Sequence, residues 1–269
     1  KILIRGASTL GKNNQPIYVI DGTTAQSELA KLGEENNVKF EISYDVCNLD
    51  ASVLNQIVSN FIADDVDLMV GITTMVATSM QAATEDNGIP VVFSAVSDPV
   101  GSQIVDSLEA PGANITGTSD YLDTNAVMNL IFAADPDADN IALLYNIGED
   151  SSTTPIAAAK EYLTHKGVSY KEYTGTSTDE VSQAVQALIA DGVDAVFTPT
   201  DNVVMATEAA VAEILNEAAI PHYTGADSFV QSGDLKVLAV MANDRLEAIP
   251  DVPTAKECGY DAVLGTWRG

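Results

Sequence analysis

The chain has 269 residues, enough for one large hydrophobic core or for two cores of roughly 100–150 residues each. Lys and Arg number 12 against 39 Asp and Glu, a formal net charge of −27 that repels phosphate backbones and anionic headgroups, so nucleic acid and acidic membrane surfaces are excluded as partners. Hydrophobic residues make up 46 % but aromatics only 6 %, which predicts a core of Ala, Val, Ile and Leu and an α/β fold with near-continuous apolar strands.

In chain order, a strand-like run Lys1-Ile-Leu-Ile-Arg5 opens the sequence. Short β-branched runs then predict strands at Pro16–Asp21, Val38–Tyr44, Asp67–Ile72 and Pro90–Ala95. A second set follows at Asn140–Tyr145, Val168–Tyr173, Ala195–Pro199 and Pro221–Thr224. Helical periodicity lies between them. Ala51–Ala63 places Val53, Leu54, Ile57, Val58 and Phe61 on one face, and Thr74–Asp86, Thr153–Lys166, Asp179–Ala190 and Asn202–Ala218 follow the same rule. Asp50, Ser152 and Thr178 stand as helix-opening caps. The alternation of strand and helix predicts βαβ units and parallel sheets.

The two sets repeat one another. DDVDLMVGITT at 64–74 is mirrored by DGVDAVFTPTDN at 191–202, and NGIPVVFSAVSD at 87–98 by AAIPHYTGADS at 218–228. This predicts an internal structural repeat: two Rossmann-like lobes facing a cleft, residues 1–117 forming the first and 118–239 the second, with 240–269 returning to complete the first. The Gly-, Pro- and Asn-rich connection Leu108–Tyr121 holds the expected first crossing.

Open parallel sheets bind ligands beyond the carboxyl ends of their strands. The candidate binding residues are therefore Thr73, Thr74, Ser94 and Asp98 in the first lobe, with Ser97 nearby. Ser119 and Asp120 follow the crossover, and the second lobe offers Asn146, Ser151, Ser152, Thr200, Asp201, Asn202 and Asp227, with Glu149 and Ser228 alongside. Hydroxyls and helix N-terminal amides suit a carboxylate, and an aspartate suits an ammonium, so the set fits a zwitterion. Ser, Thr, Asp and Asn also open helices and turns for local reasons alone, and that reading stands beside the functional one.

Other chemistry is poorly supported. His165 and His222 lie at no metal-ligand spacing, and no G-x-S-x-G, GK[ST] or G-x-G-x-x-G sequence occurs, so no metal, nucleophilic serine or nucleotide cofactor is expected. Cys47 and Cys258 read most simply as two small thiols. A two-cysteine racemase-like enzyme would need them to face each other across the cleft. No run approaches the about 20 apolar residues of a membrane span. A chain that starts directly on a strand is expected to be the mature form of an exported protein.

From about Asn48 to Ser228 the sequence resembles the ABC-transporter substrate-binding family that includes tryptophan- and tyrosine-binding lipoproteins. The carrying stretches are LNQIVSNFIADDVDLMVGITT, IPVVFSAVSDPVGSQIVDSLEAPGANITGTSDY, IALLYNIGEDSS and VFTPTDN. The resemblance implies a type I periplasmic-binding-protein fold and an extracytoplasmic receptor, monomeric and non-enzymatic, that closes on a small ligand and delivers it to a membrane permease. It also implies that the ligand is an aromatic amino acid and that the loop residues above line its site. Residues 232–269, SGDLKVLAVMANDRLEAIPDVPTAKECGYDAVLGTWRG, are instead similar to tripartite tricarboxylate-transporter receptors, and 22–45 share something of that family. A small carboxylic acid is the alternative ligand on that account. Both families run beyond the point where this chain ends, which implies a further helix completing the first lobe.

Overall fold

A computed structural model describes residues 1–9, 11–12, 15–16, 24–225, 254 and 256–257. They fall into two compact units, one spanning Lys1–Tyr121 and the other starting at Leu122.

The first unit holds β1 (Ile2–Ser8), a two-residue antiparallel ladder β2 (Gly11–Lys12) with β3 (Gln15–Pro16), α1 (Thr24–Asn36), β4 (Phe40–Val46), α2 (Ala51–Ala63), β5 (Leu68–Ile72), α3 (Thr74–Thr84), β6 (Val91–Val96) and β7 (Ile115–Ser119). Its five-stranded sheet runs β4-β1-β5-β6-β7, with every neighbouring pair parallel. The opening run Ile2–Ser8 is thus an interior strand of this sheet. The strand expected at Pro16–Asp21 reduces, among the described residues, to Gln15–Pro16 in the short ladder; residues 17–21 lie outside them.

The second unit holds α4 (Thr124–Ala134), β8 (Asn140–Tyr145), α5 (Asp150–Lys166), β9 (Ser169–Thr174), α6 (Thr178–Ala190), β10 (Ala195–Thr198), α7 (Asn202–Glu217) and β11 (His222–Thr224). Its parallel sheet runs β11-β10-β8-β9. Counted from the first sheet strand of each unit, both sheets follow one order, 2-1-3-4, with β7 extending the first. The sequence repeat is therefore a structural one: β5 and β10 are the third strands and carry the two mirrored Val-Asp segments, while β6 and β11 are the fourth and carry the two Ile-Pro segments.

The cores follow from the periodicities. In α2, Leu54, Ile57, Val58 and Phe61 are buried, at the spacing of one helical face, and pack with Met69, Val76, Met80, Phe93 and Ile115. Val53, expected on that face, is 42 % exposed because it lies one residue off the buried stripe. Ile131, Ile141, Leu143, Leu163 and Phe197 form the core of the second unit. The Asp50 carboxylate caps α2, accepting from Ser52 N at 2.8 Å and Val53 N at 3.0 Å. The other two expected caps shift: Glu149 is the residue before α5, whose Ser152 lies inside the first turn, and Ser177 caps α6, of which Thr178 is the first residue.

One irregularity shapes the carboxyl edge of the first sheet. The β6–β7 register shifts between Phe93 and Val96, with Ala95 at φ 53°. Gly117 is required beside it, because a Cβ there would lie 2.1 Å from Phe93 O. The shift takes in Ser94, and Ser97 directly follows the strand.

Candidate functional site

In each sheet the strand order reverses beside the first strand, so the two switch points lie between β1 and β5 and between β8 and β10. The loops at the carboxyl ends of these strands are where ligands settle in open α/β sheets.

In the first unit, Thr73 links β5 to α3. Its amide donates to Ser94 O at 3.0 Å, tying the ends of β5 and β6 together. Its backbone sits at φ 82°, ψ 158°, a conformation suited to glycine and costly for a β-branched residue. Its side chain caps nothing, and its buried hydroxyl has no hydrogen-bond partner among the described residues. The first turn of α3 contains no acidic residue either, so the helix supplies no anion of its own to its first amides. Thr74, next along, is buried. Asp98 is engaged locally: its Oδ1 accepts from Gly101 N at 2.7 Å and fixes the Asp-Pro-Val-Gly turn after β6. Ser119 Oγ donates to Ser97 O at 3.4 Å, and Asp120 N to Val96 O at 2.8 Å, which places both at the end of β7.

The second unit is built differently. Asp201 precedes α7 and is 0 % exposed. Its Oδ1 accepts from Val203 N at 3.1 Å and Val204 N at 3.0 Å, and its Oδ2 from Asn146 N and Ser152 Oγ, both at 2.7 Å. Glu149 precedes α5 and reaches the other way, accepting from Asn202 N at 3.0 Å, from the Asn202 side-chain amide and from Ser151 Oγ at 3.1 Å. Ser151 Oγ also lies 3.2 Å from Thr200 O. The start of α7 is thus capped by Asp201 and braced by Glu149, while α5 is tied to it through the hydroxyls of Ser151 and Ser152. Burial, reinforced by the neighbouring Asp201 charge, pushes the Glu149 carboxyl up to about 7.

The chemical consequence is an asymmetry. In the first unit α3 opens with neither a side-chain cap nor an acidic residue in its first turn. In the second, two carboxylates occupy the start of α7, Asp201 on Val203 N and Val204 N and Glu149 on Asn202 N.

The structure brings Asn146, Ser151, Ser152, Thr200, Asp201 and Asn202 into one hydrogen-bonded cluster, and gathers Thr73, Thr74, Ser94, Asp98, Ser119 and Asp120 along the carboxyl edge of the first sheet. Asp227 lies outside the described residues. Ser8 and Thr9, buried at the end of β1 and therefore on the same switch point as Thr73, escape the sequence reading because the opening run is not counted there among the sheet strands. The signal was present as a small polar pair directly after an apolar run.

Among the described residues no group of three or more His, Cys, Asp or Glu could hold a metal ion, and no helix is long and apolar enough to cross a membrane.

Comparison with known proteins agrees with this fold. The profile described as ABC transporter substrate binding protein matches residues 20–245, running past both ends of the stretch that carries the sequence resemblance. A tyrosine-binding protein of Clostridioides difficile is 32 % identical over 203 residues, covering 76 % of this chain and 58 % of that protein. The match thus spans less than two thirds of the curated relative's length. A conserved domain protein of Vibrio cholerae superposes with a TM-score of 0.75 at 28 % identity, covering 86 % of this chain and 76 % of that one. The domain of Streptococcus pneumoniae crystallised in complex with L-Trp gives 0.73 at 26 % identity and the same coverage. The chain belongs to the ABC transporter substrate binding protein family, and its α/β units with parallel sheets are those of the type I periplasmic-binding-protein architecture.

Proposed function

We propose that this chain is an extracytoplasmic solute receptor that captures an amino acid, most favourably an aromatic one, and hands it to the permease of an ABC importer. The observation that carries the reading is the α3 N-terminus. Amides that the N-cap side chain leaves free and the Thr73 hydroxyl, which has no partner among the described residues, stand at a switch point and suit a carboxylate. The carboxylates of the second unit suit an ammonium group, with Glu149 the more accessible of the two. Relatives described as tyrosine-binding and as a complex with L-Trp support an aromatic side chain. Cys47 is fully buried and burial pushes its thiol up, which disfavours the thiolate that a racemase would need. The receptor acts as a monomer and without turnover on this reading.

The zwitterion requirement is directly testable by calorimetric titration with L-tryptophan, its methyl ester and its N-acetyl derivative. The free amino acid should bind, and each derivative should bind at least about tenfold more weakly, because each removes one charged end. Equal affinity for the methyl ester would remove the α3 N-terminus from the site.

A further inference from the structure

Three large apolar side chains are far more exposed than the other large apolar side chains of the described residues: Ile147 at 69 %, Leu108 at 65 % and Tyr121 at 64 %. A single exposed apolar residue is unremarkable on most surfaces. Position separates these three. Leu108 lies in the connection between β6 and β7, away from any strand's carboxyl end, and Tyr121 follows β7, an edge strand two places from the switch point of its sheet. Ile147 alone stands on a switch point, two residues beyond β8.

The Ile147 loop is held on both sides. Asn146 N donates to Asp201 Oδ2 at 2.7 Å, Gly148 N donates to Asn146 Oδ1 at 2.9 Å, and Glu149 N donates to Asn146 O at 3.2 Å. A loop pinned by three hydrogen bonds to polar atoms presents one β-branched side chain with little rotamer freedom. None of the described residues of its own unit covers that side chain, although the flanking residues are the carboxylate-bearing cluster assigned to an ammonium group.

We infer that Ile147 is a specificity-determining residue, the apolar surface against which the ligand's side chain packs. The inference rests on the solute-receptor reading and extends it: the Asn146–Ser152 segment would hold the charged end through Glu149 and select for an apolar or aromatic side chain through Ile147. Burying the isoleucine against a ring removes apolar area from water on both partners, so truncation to a polar residue should weaken binding roughly tenfold.

The test is calorimetric titration of L-tryptophan and L-tyrosine into the full chain and into Ile147→Ser and Ile147→Leu, with the melting temperature of each ligand-free protein measured alongside. The expected result is a roughly tenfold rise in Kd for Ile147→Ser, a change within about twofold for Ile147→Leu, and unchanged melting temperatures, since the side chain is 69 % exposed among the described residues. If the parent chain binds these ligands and Ile147→Ser binds them with the same Kd, the inference is overturned while the receptor reading stands. If the parent binds neither, the receptor reading for aromatic amino acids fails and takes the inference with it.

Discussion

Thr73 shows how a single residue can carry opposed demands. Its positive φ would be free for glycine and costs a threonine about 1–3 kcal/mol, and its hydroxyl is unpartnered among the described residues. Thr73→Gly should therefore raise stability by about 1 kcal/mol in urea denaturation while weakening amino-acid binding several-fold. A glycine variant that is no more stable would mean the strain is not present; one that binds equally well would mean the hydroxyl is not a ligand contact. Asp201 has the opposite character. With four donors on one fully buried carboxylate, Asp201→Ala should cost roughly 2–4 kcal/mol of stability, because it removes a helix cap and leaves Asn146 N and Ser152 Oγ without their acceptor. Intact stability with lost binding would assign Asp201 to the ligand instead. The sequence reading placed both residues correctly at strand ends but could not tell them apart. The distinction lies in hydrogen bonds 49 to 55 residues apart along the chain, which no local pattern encodes.

At the scale of elements, legibility tracked burial and periodicity. Asn140–Tyr145 reads as β8 and Ala51–Ala63 as α2 to the residue, because a fully apolar run and a clean amphipathic stripe leave little choice. The strand Ile115–Ser119 and the helix Thr124–Ala134 went unread. The first is an edge strand with three consecutive exposed residues, Thr116 to Thr118, around a glycine, and the second directly follows a Gly- and Pro-rich connection that masks its Asp123 cap. Also invisible was the buried polar pairing of α7 with β11. Glu208 is 6 % exposed, and both of its carboxyl oxygens lack a hydrogen-bond partner among the described residues. His222 Nδ1 lies 3.8 Å from Glu208 Oε1, beyond hydrogen-bonding distance, and its Nε2 is 2.9 Å from Thr198 Oγ1. Burial pushes Glu208 up to about 8 and His222 down to about 4, so both are uncharged at neutral pH and the contact is not an ion pair there.

The pH dependence follows from these directions. Glu208 titrates in the folded state above its ordinary value, so its contribution to stability is complete below about 4.5 and is lost as pH rises through about 8. His222 titrates below its ordinary value, so its contribution is present above about 6.5 and is lost as pH falls through about 4. The two oppose each other between about 4.5 and 6.5. Above about 6.5 the loss from Glu208 goes on alone up to about 8, joined as far as about 7 by Glu149. Stability should thus decline from about pH 6.5 to 8, and Glu208→Gln should flatten most of that decline, as read from urea midpoints across the range. An unchanged slope in the variant would show that Glu208 is ionised throughout.

For the whole molecule, the two features that matter are the doubled α/β plan and the charge of −27. The plan was legible because the Val-Asp and Ile-Pro segments recur in one order, and equal segments occupy equal places in both sheets. The charge keeps copies apart and strains each one by self-repulsion. Raising ionic strength from a few millimolar to roughly 0.5 M should therefore raise the melting temperature of the ligand-free chain, since screening at that salt acts over only a few ångströms.

The central claim is that the chain recognises an amino acid. A thermal-shift screen of the twenty amino acids against a panel of di- and tricarboxylates tests it most directly. A true ligand at a hundredfold excess over its Kd should add about 2.7 kcal/mol to stability, and the account predicts that shift with tryptophan or tyrosine and none with citrate or succinate. A shift confined to the carboxylates would contradict it, because no arginine stands among the described loops at either switch point and the carboxylates of the second unit would repel a multiply charged anion.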